Sequence, residues 1–189
     1  MYMAPDSWQG LYKNTLAQVK SGEIAMARLD QAVSRILRVK IRAGLFEAGL
    51  PSTRKYAGQF ELLAAPEHRE IARKAVRQSL VLLKNQNQLL PLSPTASILV
   101  AGDGADNIGK QTGGWTLSWQ GNGNSREHFP NAMSIFEGIE EQVSRAGGSA
   151  ILSANGEYND KPDVAVVVFG EDPYAEFQGD RPHLDFQSD

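Results

Sequence analysis

Apolar residues recur at helical spacing near the amino terminus and again after Pro66, and the pattern gives way to short apolar runs in the second half of the chain. Asp6 with Gln9 reads as a capping pair for a helix over residues 7–20, which Gly22 stops. A second helix is predicted over 26–43. Leu29, Val33, Ile36, Leu37 and Ile41 approximate one stripe of it, and Gly44 closes it. From 47 to 65 the periodicity is lost among Gly49, Pro51, Ser52, Thr53 and Gly58, as in an interdomain linker. A third helix runs from Pro66 to about Leu83 and ends at Lys84-Asn85, ahead of Leu89-Leu-Pro-Leu92.

Beyond that turn the elements alternate. Residues 97–101 read as a strand, 132–146 as an amphipathic helix closed by Gly147-Gly148, 149–153 as a strand and 164–169 as another. Strand, helix, strand in this order is the pattern of a parallel α/β layer with right-handed crossovers. Val164-Ala-Val-Val-Val-Phe169, apolar throughout, fits a strand buried on both faces. Three strands make an incomplete sheet, and the first helices have nothing ahead of them to pack against. The chain therefore reads as an interior piece of a larger protein, holding the tail of one domain and the front of another.

Two segments carry the candidate chemistry. After the last strand, Gly170-Glu-Asp-Pro-Tyr-Ala-Glu-Phe-Gln-Gly-Asp180 holds four carboxylates and two aromatics, at the end of a parallel strand where ligands gather. A solvated acidic turn around Pro173 and Gly179 would look the same. The other segment, Gly113-Gly-Trp-Thr-Leu-Ser-Trp-Gln-Gly-Asn-Gly-Asn124, sets two tryptophans among glycines and amides. Flat apolar faces beside hydrogen-bonding groups suit the C–H faces and hydroxyls of a sugar ring. Trp115 fits a core position as well as a site; Trp119 looks more like a platform.

Composition narrows the field. With 189 residues, 41% of them hydrophobic, the chain can bury a sizeable core. A formal net charge of −3 gives no basic field, so nucleic acid is not implied; Arg28, Arg35, Arg38, Lys40 and Arg42 fit the water-facing side of the second helix. The absence of cysteine rules out disulfides and thiolate chemistry within the chain and leaves the compartment open. No stretch approaches the length of a membrane span. His68, His128 and His183 are scattered without metal-ligand spacing, so neither a metal nor a cofactor is implied. Gly104-Ala-Asp-Asn-Ile-Gly-Lys110 approaches a phosphate-binding loop, but Gln111 stands where Ser or Thr would hold magnesium and a Trp-rich segment follows in place of a helix.

Ser79-Leu-Val-Leu-Leu-Lys-Asn85 with Leu90-Pro-Leu92, the Gly113 to Gly121 segment, and the Gly170 to Asp180 loop together resemble family 3 glycoside hydrolases, in their exo-acting β-glucosidase and β-glucan glucohydrolase branch. Three motifs in the right order make the likeness specific, and it covers essentially the whole chain. The resemblance implies an α/β architecture in which residues 1–46 are the C-terminal strand and helices of a (β/α)8-type barrel and 47–65 a linker. Residues 66–189 would then be the N-terminal part of an α/β sandwich. It implies a retaining mechanism on a β-glucan or gluco-oligosaccharide, with Glu176 resembling the acid/base, Trp119 one half of an aromatic clamp and Trp115 a neighbouring wall. The family's nucleophile lies in a Ser-Asp-Trp type segment that does not occur here. The chain alone is therefore expected to be inactive and to need the remainder of its own barrel and sandwich domains. Two rival readings are a non-catalytic carbohydrate-binding module and a P-loop-like nucleotide-binding domain.

Overall fold

The computed structural model describes residues 2–186 and divides the chain into two units, 1–70 and 71–189. In the first unit, helix α1 spans Trp8–Lys20 and helix α2 Met26–Arg42, followed by single turns of 3-10 helix at Pro51–Thr53 and Phe60–Leu62. Ser7 is the N-cap of helix α1 and makes no side-chain cap bond, so Asp6 and Gln9 do not form the expected pair. Glycines end both helices as anticipated, with Gly22 and Gly44 in the left-handed region at φ 81° and 64°. No described residue of either helix is buried, and Trp8, Tyr12, Ile36 and Leu37 face outward. An amphipathic helix draws most of its stability from packing its apolar stripe, and this unit leaves that stripe open.

Helix α3, Pro66–Ser79, runs into the second unit. It stops four residues short of the expected end, and Leu80, Val81, Leu82 and Leu83 continue without helical structure and exposed. Four consecutive apolar residues carry no periodicity, so the pattern could not locate that boundary.

The second unit is built on a parallel sheet. Among the described residues it has three strands, β1 (Ser97–Ala101), β2 (Ser149–Leu152) and β3 (Val164–Val167), in the order β2-β1-β3. Ile98 pairs with Ala150 on one side and Val164 on the other. Central β1 is therefore the buried strand, with Val100 fully enclosed. Between β1 and β2 the chain forms a short helix α4, Ile108–Thr112, and then helix α5, Ile135–Arg145. Helix α5 lies against β2 and closes the core: Val143 joins Ile98, Val100 and Ala105, with Phe136 and Ile139 on the same face. Its start is a reciprocal cap, Glu137 N–H donating to Ser134 Oγ at 3.1 Å and Ser134 N–H to Glu137 Oε2 at 2.8 Å.

Strand β3 departs from expectation. It buries one face only, with Val164 and Val166 turned to the core and Val167 61% exposed. Its place at the sheet edge, with no described element over its second face, is the physical reason.

Candidate active site

Parallel β1 and β3 lie side by side and end at the same edge of the sheet, so the loops that follow them meet there. From β1 the chain turns through Gly102 and Asp103 into the five-residue helix α4, started by Asn107, whose side chain accepts from Lys110 N–H at 3.0 Å. Thus a short helix begins within the Gly104 to Lys110 motif and runs on to Thr112, where the sequence reading placed none. Lys110 then reaches across to the β3 loop. Its ammonium lies 2.6 Å from Asp103 Oδ2 and 3.2 Å from Asp172 Oδ1, and donates to the Gly170 carbonyl at 2.9 Å. With all three acceptors supplied by the protein, this lysine acts as a tie between loops rather than as a phosphate ligand.

The hydrogen bond and charge of Lys110 hold the Asp103 carboxyl below its ordinary range, while Asp103 first and Asp172 second raise the ammonium of Lys110. Asp103 therefore stabilises the fold above the ordinary carboxylate range and loses that contribution as pH falls through its lowered value. Lys110 contributes below the ordinary lysine range and loses it only as pH rises through its raised value. Lys110→Met should lower the thermal midpoint throughout the neutral range, with the difference shrinking at the acid end. Parallel midpoint curves for wild type and variant across that range would contradict the tie.

Beyond α4 the Gly113 to Gly121 segment folds back on itself, Trp115 N–H donating to the Trp119 carbonyl at 2.9 Å. Trp115 and Leu117 sit in the left-handed region at φ 59° and 57°, as does Phe177 of the facing loop at 71°. Such backbone is strained for bulky residues and persists where surrounding contacts determine it. The two segments touch backbone to backbone: a Cβ on Gly114 would stand 2.2 Å from the Tyr174 carbonyl oxygen, so only glycine permits the approach.

This contact brings the three predicted site residues together. Trp119 Nε1–H donates to Glu176 Oε2 at 2.7 Å and Trp115 Nε1–H donates to the same oxygen at 3.1 Å. The indole rings are 6.0 Å apart and tilted by 41°, and Trp119 meets Phe177 edge to face at 5.5 Å. Both tryptophans and Glu176 remain exposed. The Trp119 hydrogen bond, with a backbone bond and that of Trp115 behind it, holds the Glu176 carboxyl below its ordinary range, because donors favour the charged form. Trp115 is thus no core residue, the alternative its glycine-rich setting left open.

Glu171 lies apart. Its Oε2 accepts from Tyr174 Oη–H at 2.6 Å, and that bond raises the Tyr174 phenol. A hollow of about 370 Å³ opens beside it, lined by Phe169, Glu171, Tyr174, Arg181, His183 and Phe186. Sequence reasoning missed Lys110 as a tie, and it noted Gln120 only as the polar neighbour of Trp119, not as a partner of the carboxylate loop. The side chain of Gln120 accepts from Ala175 N–H at 2.8 Å and donates to the Glu176 carbonyl at 3.0 Å. Its only signal was its place directly after Trp119.

Residues 80–189 match the model of the glycosyl hydrolase family 3 C-terminal domain. The lysosomal beta glucosidase of Dictyostelium discoideum is 33% identical over 180 residues, which cover 86% of this chain and 22% of that protein. The periplasmic beta-glucosidase of Salmonella typhimurium is 33% identical over 153 residues, 80% of this chain and 19% of that protein. The crystal structure of the exo-1,3/1,4-beta-glucanase of a Pseudoalteromonas species matches with a TM-score of 0.90 at 52% identity, over 97% of this chain and 23% of that one. The chain spans less than a quarter of the length of each of these proteins. With the C-terminal domain model matched over more than half of its residues, the chain belongs to glycoside hydrolase family 3.

Proposed function

We propose that this chain is a segment of a retaining β-glucosidase-type hydrolase of β-glucans and gluco-oligosaccharides, supplying the acid/base Glu176 and a leaving-group subsite made by Trp119 and Trp115. In this reading residues 1–46 are the end of the catalytic barrel, 47–65 the linker and 66–189 the first half of the sandwich. The observation that carries it is the convergence of both indole N–H groups on one oxygen of Glu176. That grip fixes the carboxylate while leaving the indole rings exposed beside it, as a leaving group stacked on those rings requires.

In a double displacement the nucleophile comes from elsewhere in the protein and attacks the anomeric carbon. Glu176 protonates the departing glycosidic oxygen, and afterwards, as carboxylate, takes a proton from the water that releases the sugar. The indole bonds favour its carboxylate form. A sugar seated over the loop works in the opposite direction, since excluding water disfavours the charge. Residues 1–189 alone should leave an aryl β-glucoside unhydrolysed, since acid catalysis without a nucleophile or a pocket for the reacting sugar forfeits most transition-state stabilisation. Sustained release of nitrophenol by the purified chain would contradict this.

Trp119 has two separable jobs in the full-length enzyme, and two substitutions distinguish them. Trp119→Ala removes both the face and the donor, so its loss beyond that of Trp119→Phe reports stacking, and that excess should cost a disaccharide about 1 to 3 kcal/mol more than an aryl glucoside that uses the subsite less. Trp119→Phe keeps a face but deletes the principal donor to Glu176, so the Glu176 pKa rises. Because kcat/KM falls once the free enzyme's acid is deprotonated, the alkaline limb of its pH profile should move to higher pH. Equal losses on both substrates for the first variant, or an unmoved limb for the second, would count against the respective role.

A further inference from the structure

We propose that Gln120 is a positioning residue for the acid/base, clamping the backbone from which Glu176 projects; this rests on the assignment of Glu176 above. The Gln120 amide bonds both ends of the Ala175–Glu176 dipeptide, accepting from Ala175 N–H at 2.8 Å and donating to the Glu176 carbonyl at 3.0 Å. One planar group therefore fixes the Ala175 N–H and the Glu176 carbonyl, one at each end of the dipeptide that carries the Glu176 side chain, across 55 and 56 residues of sequence. The residue just before Gln120 in the chain, Trp119, holds the carboxylate tip. Root and tip of the Glu176 side chain are thus gripped by adjacent residues of one folded segment, so a displacement of that segment moves both together.

The loop does not hold itself in this place. Its own bonds are local, Gln178 N–H to the Glu176 carbonyl at 3.0 Å and Gly179 N–H to the Ala175 carbonyl at 2.8 Å, and they close a turn without anchoring it to the sheet. Phe177 at φ 71° adds strain directly beside Glu176. Lys110 ties the loop at Gly170 and Asp172, several residues before the carboxylate. Gln120 is the backbone anchor at the carboxylate itself. A misplacement on the order of 1 Å is enough to cost about 10²-fold in a reaction that depends on alignment.

The test is a double-mutant cycle in the full-length enzyme with Gln120→Met, which keeps the length of the side chain and loses both bonds, and Glu176→Gln, assayed on cellobiose and on 2,4-dinitrophenyl β-glucoside. Gln120→Met should lower kcat/KM on cellobiose by about 10 to 10²-fold and spare glycosylation by the activated aryl glucoside. Combined with Glu176→Gln it should add little, because both changes disable one function. Equal losses on the two substrates, or losses that multiply in the double variant, would mean a general structural role and overturn the proposal. If Glu176→Gln itself shows no dependence on the leaving group, the acid/base assignment fails and this proposal with it. A leaving-group dependence in Glu176→Gln without one in Gln120→Met removes Gln120 alone. Should Gln120→Met not fold, Gln120→Glu retains the acceptor for Ala175 N–H and loses only the donor to the Glu176 carbonyl; it is carried through the same cycle with the same expected pattern.

Discussion

Glu176→Gln in the full-length enzyme should lower kcat/KM on cellobiose-type substrates by about 10² to 10⁴-fold, the usual worth of a positioned general acid. The loss should be graded by leaving group. A glucose leaving group must be protonated as it departs, whereas dinitrophenolate departs unaided, so the first chemical step on the activated glucoside should be nearly normal. Its second step should be slow, because the same residue deprotonates the attacking water, and a burst of dinitrophenol followed by slow turnover is the expected trace. The amide oxygen that Glu176→Gln introduces would still accept an indole donor, so the fold of the loop is not at stake. Normal turnover of cellobiose by this variant would contradict the assignment.

The second large effect concerns the platform beneath that carboxylate. Gly121 and Gly123 share a left-handed φ of 72° but not their surroundings. Gly121 is buried, and a Cβ there would stand 2.1 Å from the Gly113 carbonyl oxygen and 2.8 Å from the Gly114 Cα; around Gly123 there is open space. Alanine at either position carries a left-handed penalty of about 1 to 2 kcal/mol. At Gly121 the segment must also move off its own first turn, carrying Trp119 and Gln120 away from Glu176. Gly123→Ala should thus lower the thermal midpoint slightly with activity kept. Gly121→Ala should lower it several-fold further and abolish most activity on cellobiose. Melting and kinetics of the two variants side by side check this, and indistinguishable variants would mean that the close approach at Gly121 does not matter.

Local pattern reached most of the elements of the second unit. The run Ile98-Leu-Val-Ala101 marks β1 because a central parallel strand is apolar on both faces, and α5 shows its spacing through Phe136, Ile139 and Val143. The same rule misjudged Val164-Ala-Val-Val-Val-Phe169, since hydrophobicity does not tell a central strand from one that is an edge within this chain. Glu176, Trp115 and Trp119 were legible as residue types on two loops, and the family likeness singled them out. Their mutual hydrogen bonds were not, because these join positions 57 and 61 residues apart and depend on β3 lying next to β1 rather than β2. Gln120, and the grip of Lys110 on Asp103 and Asp172, were hidden for the same reason. A five-residue helix such as α4 is too short to show a period at all.

The central claim is that Glu176, and not Glu171, is the acid/base of a retaining enzyme. It is tested most directly by turning over 2,4-dinitrophenyl β-glucoside with the Glu176→Gln and Glu171→Gln full-length enzymes in the presence of sodium azide and identifying the sugar product by NMR. A small anion attacks a glycosyl-enzyme without needing a base, so azide should restore turnover in Glu176→Gln and the product should be β-glucosyl azide, its configuration reporting two displacements. Glu171→Gln should give glucose and no azide adduct. Formation of β-glucosyl azide by Glu171→Gln alone would move the acid/base to the residue beside the Tyr174 hollow, and an α-configured azide from either variant would contradict the retaining mechanism itself.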